Sequence, residues 1–156
     1  MLVRMKGRHR PSLRQICDAE FVHGQVPTLD QLFGGPDIRL ATWQVVMLTG
    51  LLPDMSGWPL RHRKEFQRYD VEYGVVGCNL FRDWDWGWFK LGVADGSMVI
   101  DYDMEDNGRV LRGRIRDHLR TTLDPNMLIG RFYVRTRKAF RFAGFFHLVR
   151  LQPSKG

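Results

Sequence analysis

The feature that most constrains this chain is a series of short segments after residue 57 in which apolar and polar residues alternate, with turn signals between them. Alternation of period two is typical of β-strands. Asp-Gly within 94–97 and Asn-Gly within 105–108 favour tight hairpins. So many consecutive strands expose two edges unless the sheet closes. We therefore predict a mainly β fold, an antiparallel up-and-down β-barrel with strands at 60–69, 73–81, 86–94, 97–104, 109–120, 128–137 and 140–151.

The residues before this series have helical spacing. A helix is predicted at 12–21 with Ser12 as its N-cap, and a shorter one follows Thr28. The stretch 34–53 is predicted as a third helix, with Pro36 near its start and Gly50 and Pro53 near its end. A chain of 156 residues is the size of one domain. We expect a single domain 1–156, in which a helical lead-in at 1–56 caps a β-barrel at 57–152.

Composition narrows the class of protein. Hydrophobic residues make up 44% and charged residues 26% of the chain, which is typical of a globular protein. Cys17 and Cys78 lack a metal-binding or disulfide spacing, so we expect free thiols. The basic start has no apolar signal-peptide region, and the apolar run at 40–52 is shorter than the roughly 20 residues that span a bilayer. We therefore expect no membrane span and a cytoplasmic location.

The alternation also predicts which side chains point into the barrel. Apolar residues of the inner set are Met98, Ile100, Ile115, Phe132, Phe142 and Phe146. Asp117 shares this face, and burying a carboxylate without a partner is costly. Tyr102 on the preceding strand is a candidate partner. Such a pair could orient a ligand or relay a proton, or Asp117 could instead form a structural pair with an arginine near the rim.

Three tryptophans lie at alternate positions in FRDWDWGWFKLG, residues 81–92. We place Trp84 and Trp86 at the rim and Trp88 inside the sheet. The rings could cover the mouth of a cavity, belong to the core, or stack on nucleic acid bases. Asp83 and Asp85 would repel phosphates and disfavour the last interpretation.

The last predicted strand is apolar on both faces, which indicates that it lies between the barrel interior and the N-terminal helices. His147 is therefore in an apolar setting. It is either a core residue with its hydrogen bonds satisfied, or a ligand or base.

The order of elements resembles the calycin-like barrels of the lipocalin and nitrobindin type. The resemblance rests on a helical lead-in, Gly57–Trp58 before the first predicted strand, a hairpin meander, and Arg150 at the end of the last strand. In lipocalins a tryptophan near the start packs beneath an arginine from the end of the barrel, which would here be Trp58 and Arg150. Nitrobindin-type barrels hold haem through a histidine. His62, His118 and His147 lie in no matching pattern, so we expect no cofactor and no metal.

The leading hypothesis is the binding of a small, mostly apolar or amphipathic molecule inside the barrel, where barrel folds commonly hold ligands. An anionic or carbonyl group would suit its polar end. The predicted ligand-binding residues are Trp88, Met98, Ile100, Tyr102, Ile115, Asp117, Phe132, Phe142, Phe146 and Arg131.

An alternative is an enzyme of the same cavity, such as a cyclase, isomerase or dehydratase. Asp117 would be the general acid or base and Tyr102 a proton donor, with His147 or Arg131 stabilising charge. No nucleophile elbow, phosphate loop or dinucleotide motif is present.

A second alternative uses surface charge. The chain has a net charge of +7, and its basic N-terminal arm and outward arginines could bind nucleic acid or an acidic partner. We consider nucleic acid unlikely, because only Tyr133 places an aromatic ring among these bases: Arg112, Arg114, Arg116, Arg120, Arg131, Arg135 and Arg137. The sequence pattern does not indicate whether the protein is a monomer or an oligomer.

Overall fold

The structure, a computed structural model, describes residues 10–69, 74–109 and 111–151. Two helices precede eight strands. The helices are α1 (Leu13–His23) and α2 (Leu29–Phe33). The strands are β1 (Leu40–Gly50), β2 (Arg63–Arg68), β3 (Val75–Phe81), β4 (Trp84–Ala94), β5 (Ser97–Asp101), β6 (Ile115–Thr121), β7 (Met127–Arg135) and β8 (Phe140–Arg150).

The eight strands form a closed antiparallel barrel. Each strand pairs with the next one in the chain, and β1 pairs with β8 to close the sheet. The predicted hairpin between β4 and β5 is confirmed, since Asp95 and Gly96 both have the positive φ that a primed two-residue turn requires. The predicted fold class, a mainly β up-and-down barrel after an N-terminal helical segment, is confirmed.

The predicted helix at 34–53 is wrong, because most of that stretch forms strand β1. Ala41, Trp43, Val45 and Met47 are buried on its inner face. The residues between them are apolar in part, and Leu48 packs against the cluster beneath α1. A strand that is covered on both faces loses its polar alternation and is hard to distinguish from a helix. The barrel therefore begins at Leu40 rather than at residue 57.

The connection between β5 and β6 also differs from the prediction. A tight hairpin was expected at 105–108, but β5 ends at Asp101 and β6 begins at Ile115. Within this longer connection the Asn107 side chain donates to the backbone oxygens of Trp88 and Tyr102, at 2.6 and 2.7 Å. Asn107 thus contributes a side-chain anchor for the loop, where we had expected a turn residue.

Both short helices begin as predicted. The Ser12 and Thr28 hydroxyls accept hydrogen bonds from the backbone N–H groups of Gln15 and Gln31, each within a capping box. α1 packs Cys17 and Phe21 against Ile129 and Phe145 on the outside of the barrel. Leu32 and Phe33 of α2 join the main core instead. α2 therefore contributes to the barrel core, while α1 covers an outer face.

The tryptophan beneath the last strand's arginine is Trp43, not Trp58. The Arg150 guanidinium lies 4.3 Å from the Trp43 ring centre, and the Trp43 indole donates to the Leu32 carbonyl at 3.1 Å. Trp58 is 72% exposed and stacks against Arg61 and Arg82. The expected ring-under-arginine contact exists, but β1 supplies the ring.

Parts of four predictions lie outside the described residues. These are the basic N-terminal arm at 1–9, residue 73 of the strand predicted at 73–81, residue 110 of the strand predicted at 109–120, and residues 152–156. Within the described part of the chain, no helix combines the length and the apolar character needed to cross a bilayer.

Candidate functional site

A cavity of about 420 Å³ occupies one end of the barrel interior. The other end is filled by fully buried side chains that include Phe66, Ile100, Leu119 and Leu148. Trp84 and Trp86 line the cavity and are also partly exposed to solvent, so they lie at its mouth. The lining residues are Val45, Met47, Leu52, Met55, Leu60, His62, Lys64, Asn79, Phe81, Trp84, Trp86, Tyr102, Ile115, Asp117, Phe132 and Phe146.

Five polar side chains form a connected cluster against this otherwise apolar wall, and we call it the polar cluster. Its members are His62, Lys64, Asn79, Tyr102 and Asp117, all buried. Lys64 and Asn79 are direct cross-strand partners on β2 and β3. Tyr102 follows β5, and Asp117 is on the neighbouring strand β6. The cluster therefore comes from β2 and the residue before it, from β3, from the residue after β5, and from β6.

Lys64 is at the centre of the polar cluster. Its ammonium donates to Asn79 Oδ1 at 2.8 Å and to Tyr102 Oη at 2.5 Å, and it forms an ion pair with Asp117 Oδ2 at 3.2 Å. Three acceptors match the three N–H donors of an ammonium. Burial lowers the pKa of Lys64, and the Asp117 carboxylate opposes that shift. The Tyr102 and Phe89 rings lie 5.2 and 5.4 Å from Nζ and add cation–π contacts.

Tyr102 connects the ion pair to Asn79. Its hydroxyl donates to Asp117 Oδ2 at 3.0 Å and accepts from Asn79 Nδ2 at 3.0 Å. Burial, followed by the nearby Asp117 charge, raises the pKa of Tyr102 well above its usual value. The phenol is therefore a stable donor at neutral pH. The Tyr102–Asp117 pair matches the expected one, but the cation beside Asp117 is a lysine, not an arginine.

His62 extends the cluster toward the loop before β2. Its Nε2 lies 3.1 Å from Asn79 Oδ1, and its ring stacks on Phe81 with centres 4.5 Å apart. Burial, with a further contribution from the Lys64 charge, lowers the pKa of His62 to about 4. The imidazole is therefore neutral at pH 7.

Five of the ten predicted ligand-binding residues line the cavity: Tyr102, Ile115, Asp117, Phe132 and Phe146. Met98 and Ile100 are buried in the filled part of the core and do not line it. The inner face was correctly predicted for both, but the cavity does not extend along the whole barrel.

Trp88 lies outside the cavity because of a bulge in β4. Cys78 pairs with Trp88 and Asn79 pairs with Trp86, so Gly87 is an extra residue with a positive φ. The bulge reverses the alternation. Trp86 and Phe89 consequently share the inner face of β4, with Trp86 at the cavity mouth and Phe89 in the core, and Trp88 faces the loop that carries Asn107.

A second bulge moves Phe142 out of the predicted site. Phe132 pairs with Gly144 and Tyr133 with Phe142, so Ala143 is the extra residue and enters the core. Phe142 instead packs beneath α1, with the Arg14 guanidinium 5.0 Å from its ring centre.

His147 and Arg131 also face away from the cavity, toward α1. His147 Nε2 lies 2.5 Å from Glu20 Oε1, and Arg131 pairs with Asp18 and packs over the Phe21 ring. These residues attach the helix to the barrel. The enzyme alternative therefore lacks the two charge stabilisers assigned to it, and Lys64 is the cation beside Asp117.

Sequence reasoning missed His62, Lys64 and Asn79. Phe66 is fully buried, and alternation from it places Lys64 and His62 on the same inner face. That signal was present in residues 61–68. Lysine is almost never fully buried unless it is paired, so a buried lysine on this face is exceptional.

Several outward arginines that suggested nucleic acid binding are engaged within the chain. Arg116 pairs with Asp101 and stacks on Phe140, and Arg112 pairs with Asp103. Arg120 donates to the Ser97 hydroxyl and to backbone carbonyls. These contacts reduce the cationic surface that a phosphate backbone would meet, and the nucleic acid alternative stays a prediction.

Comparison with known proteins finds no matching family model, no matching curated protein and no matching solved structure. Among residues 10–69, 74–109 and 111–151, no group of three or more His, Cys, Asp or Glu side chains is placed to hold a metal ion. Both cysteines, Cys17 and Cys78, are buried free thiols.

Proposed function

We propose that this protein binds a small, mostly apolar molecule in the barrel cavity. The observation that carries the proposal is an apolar cavity of about 420 Å³ with a hydrogen-bonded polar cluster on one wall. Ligand sites combine apolar walls with a few fixed polar groups in this way, because burial supplies affinity and the polar groups fix orientation. The mouth of a closed barrel is a common place for such a site.

The ligand would enter past Trp84 and Trp86. Its apolar part would contact Ile115, Phe132 and Phe146, with its polar end against the polar cluster. A ligand of the lipocalin kind, such as a fatty-chain or isoprenoid metabolite, has this shape. The packing of Arg150 over Trp43 supports the lipocalin-type resemblance. We propose in addition that the protein is located in the cytoplasm.

Calorimetric titration of the purified protein with short-chain alcohols and related amphiphiles tests the proposal, with native mass spectrometry to detect a ligand that co-purifies. Ile115→Trp places an indole in the cavity and should abolish binding or weaken it at least tenfold. Val93→Trp is the matched control, because Val93 is exposed on β4. Equal affinity in the two variants, or no saturable heat with any amphiphile, would contradict the proposal.

A further inference from the structure

The hydrogen-bond pattern of the polar cluster limits the kind of ligand it can accept. Every N–H of the Lys64 ammonium already has an acceptor in Asn79, Tyr102 or Asp117. The Tyr102 hydroxyl donates its hydrogen bond to Asp117 Oδ2. The strongest donors of the cluster are therefore occupied by the protein itself.

The orientation of Asn79 fixes the proton on His62. An ammonium can only donate, so the atom of Asn79 that contacts Lys64 must be the oxygen. The same oxygen lies 3.1 Å from His62 Nε2, which must then carry the ring proton. Neutral His62 consequently has its lone pair on Nδ1. That atom is buried and has no hydrogen-bond partner among the residues that the structure describes.

Asp117 supplies a second free acceptor. Both of its contacts, to Lys64 and to Tyr102, are made through Oδ2. Oδ1 receives no hydrogen bond from any described residue, although the side chain is buried and lines the cavity. Two acceptors without donors thus belong to side chains that line the same cavity. His62 Nδ1 is fully enclosed, whereas Asp117 Oδ1 is not, so Oδ1 is the acceptor that a ligand can reach.

We propose that the site selects an apolar alcohol, whose hydroxyl donates a hydrogen bond to Asp117 Oδ1. This inference rests on the proposed function and narrows it. It also replaces the anionic or carbonyl end group expected from the sequence. A ketone brings only an acceptor to this wall. A carboxylate would add a negative charge beside Asp117, whose countercharge on Lys64 is already shared with it.

Tryptophan fluorescence measures the selection directly, since Trp84 and Trp86 line the mouth. The probes are octanol, octanoate and a methyl ketone of equal chain length. We expect octanol to bind about tenfold more tightly than either of the others, as one added hydrogen bond to a buried acceptor would give. Equal affinities, or a preference for the ketone or octanoate, would overturn the inference and leave the proposed function standing. No binding by any probe would refute the proposed function itself.

A variant pair tests the assignment to Asp117. Asp117→Asn keeps the shape of the side chain, and its amide oxygen can accept from Lys64 and Tyr102 while its N–H₂ group takes the place of Oδ1. The octanol-to-ketone affinity ratio should fall at least threefold in this variant. It should be unchanged in Asp101→Asn, because Asp101 does not line the cavity and pairs with Arg116. The ratio is measured within each protein, so a general loss of stability does not affect it. An unchanged ratio in Asp117→Asn would overturn the role of Asp117.

Discussion

His62 should make the stability of this protein depend on pH. Its pKa in the folded protein is about 4, against 6.5 for an ordinary histidine. The main cause is burial, which removes water from the charged ring, and the Lys64 charge adds to it. In the unfolded chain both effects disappear. The unfolded state therefore binds a proton at a higher pH than the folded state does.

The sign and size of the effect follow from this difference. Above the unfolded pKa of 6.5, His62 is neutral in both states and has no effect. As the pH falls from 6.5 to about 4, only the unfolded state takes up the proton, so the free energy of unfolding decreases. The full loss is about 3 kcal/mol, at about 1.4 kcal/mol per pKa unit. Between about pH 7 and about pH 5 the expected loss is about 2 kcal/mol.

Urea denaturation of wild type and His62→Phe, followed by tryptophan fluorescence at these two pH values, measures the effect. The two proteins share every other titratable group, so the difference between their pH dependences isolates His62. Wild type should lose about 2 kcal/mol more than the variant on acidification. Parallel losses in the two proteins would show that His62 takes up its proton as readily in the folded state as in the unfolded chain.

Two further predictions concern the interior. Lys64→Met leaves Asp117 buried without its countercharge and should cost about 3–5 kcal/mol of unfolding free energy. Adding Asp117→Leu should recover most of that loss. Urea denaturation of both single variants and the double variant measures the coupling between the two charges, and losses that simply add would refute it. Gly130→Ala places a Cβ 2.2 Å from the Phe146 ring and should cost about 1–3 kcal/mol of unfolding free energy. Gly92→Ala, with no atom within 4 Å of its added Cβ, should change the melting temperature little. Equal melting temperatures for the two variants would contradict the packing of Phe146 on Gly130.

The barrel was predictable because several of its strands alternate between buried and partly solvent-exposed side chains. β6 keeps the alternation that placed Asp117 and Leu119 inside. β1 was mistaken for a helix because its outer face meets the cluster beneath α1 and needs no polar residues there. Tertiary burial thus removed the signal that distinguishes the two periods.

The site was harder to predict than the fold because two bulges reverse the side-chain faces. One extra residue, Gly87 or Ala143, moves every side chain beyond it to the opposite face. Trp88 and Phe142 were assigned inward for this reason. Gly87 precedes Trp88 in a Trp-Gly-Trp sequence, and a glycine within a strand is a signal for a bulge. Gly144, directly after Ala143, is a similar signal within β8.

The contrast between the two ends of the barrel bears on what the polar cluster does. At the filled end, ring packing is so close that Gly77 has no room for a Cβ against Phe89. At the other end the same sheet leaves about 420 Å³ beside Lys64 and Asp117. A buried ion pair is seldom the most stable filling for a core, since apolar residues of equal volume often do as well or better. The cavity that the pair borders therefore explains it better than the stability of the fold does. Replacing Lys64 and Asp117 together by apolar residues should reduce ligand selectivity strongly and the free energy of unfolding only slightly.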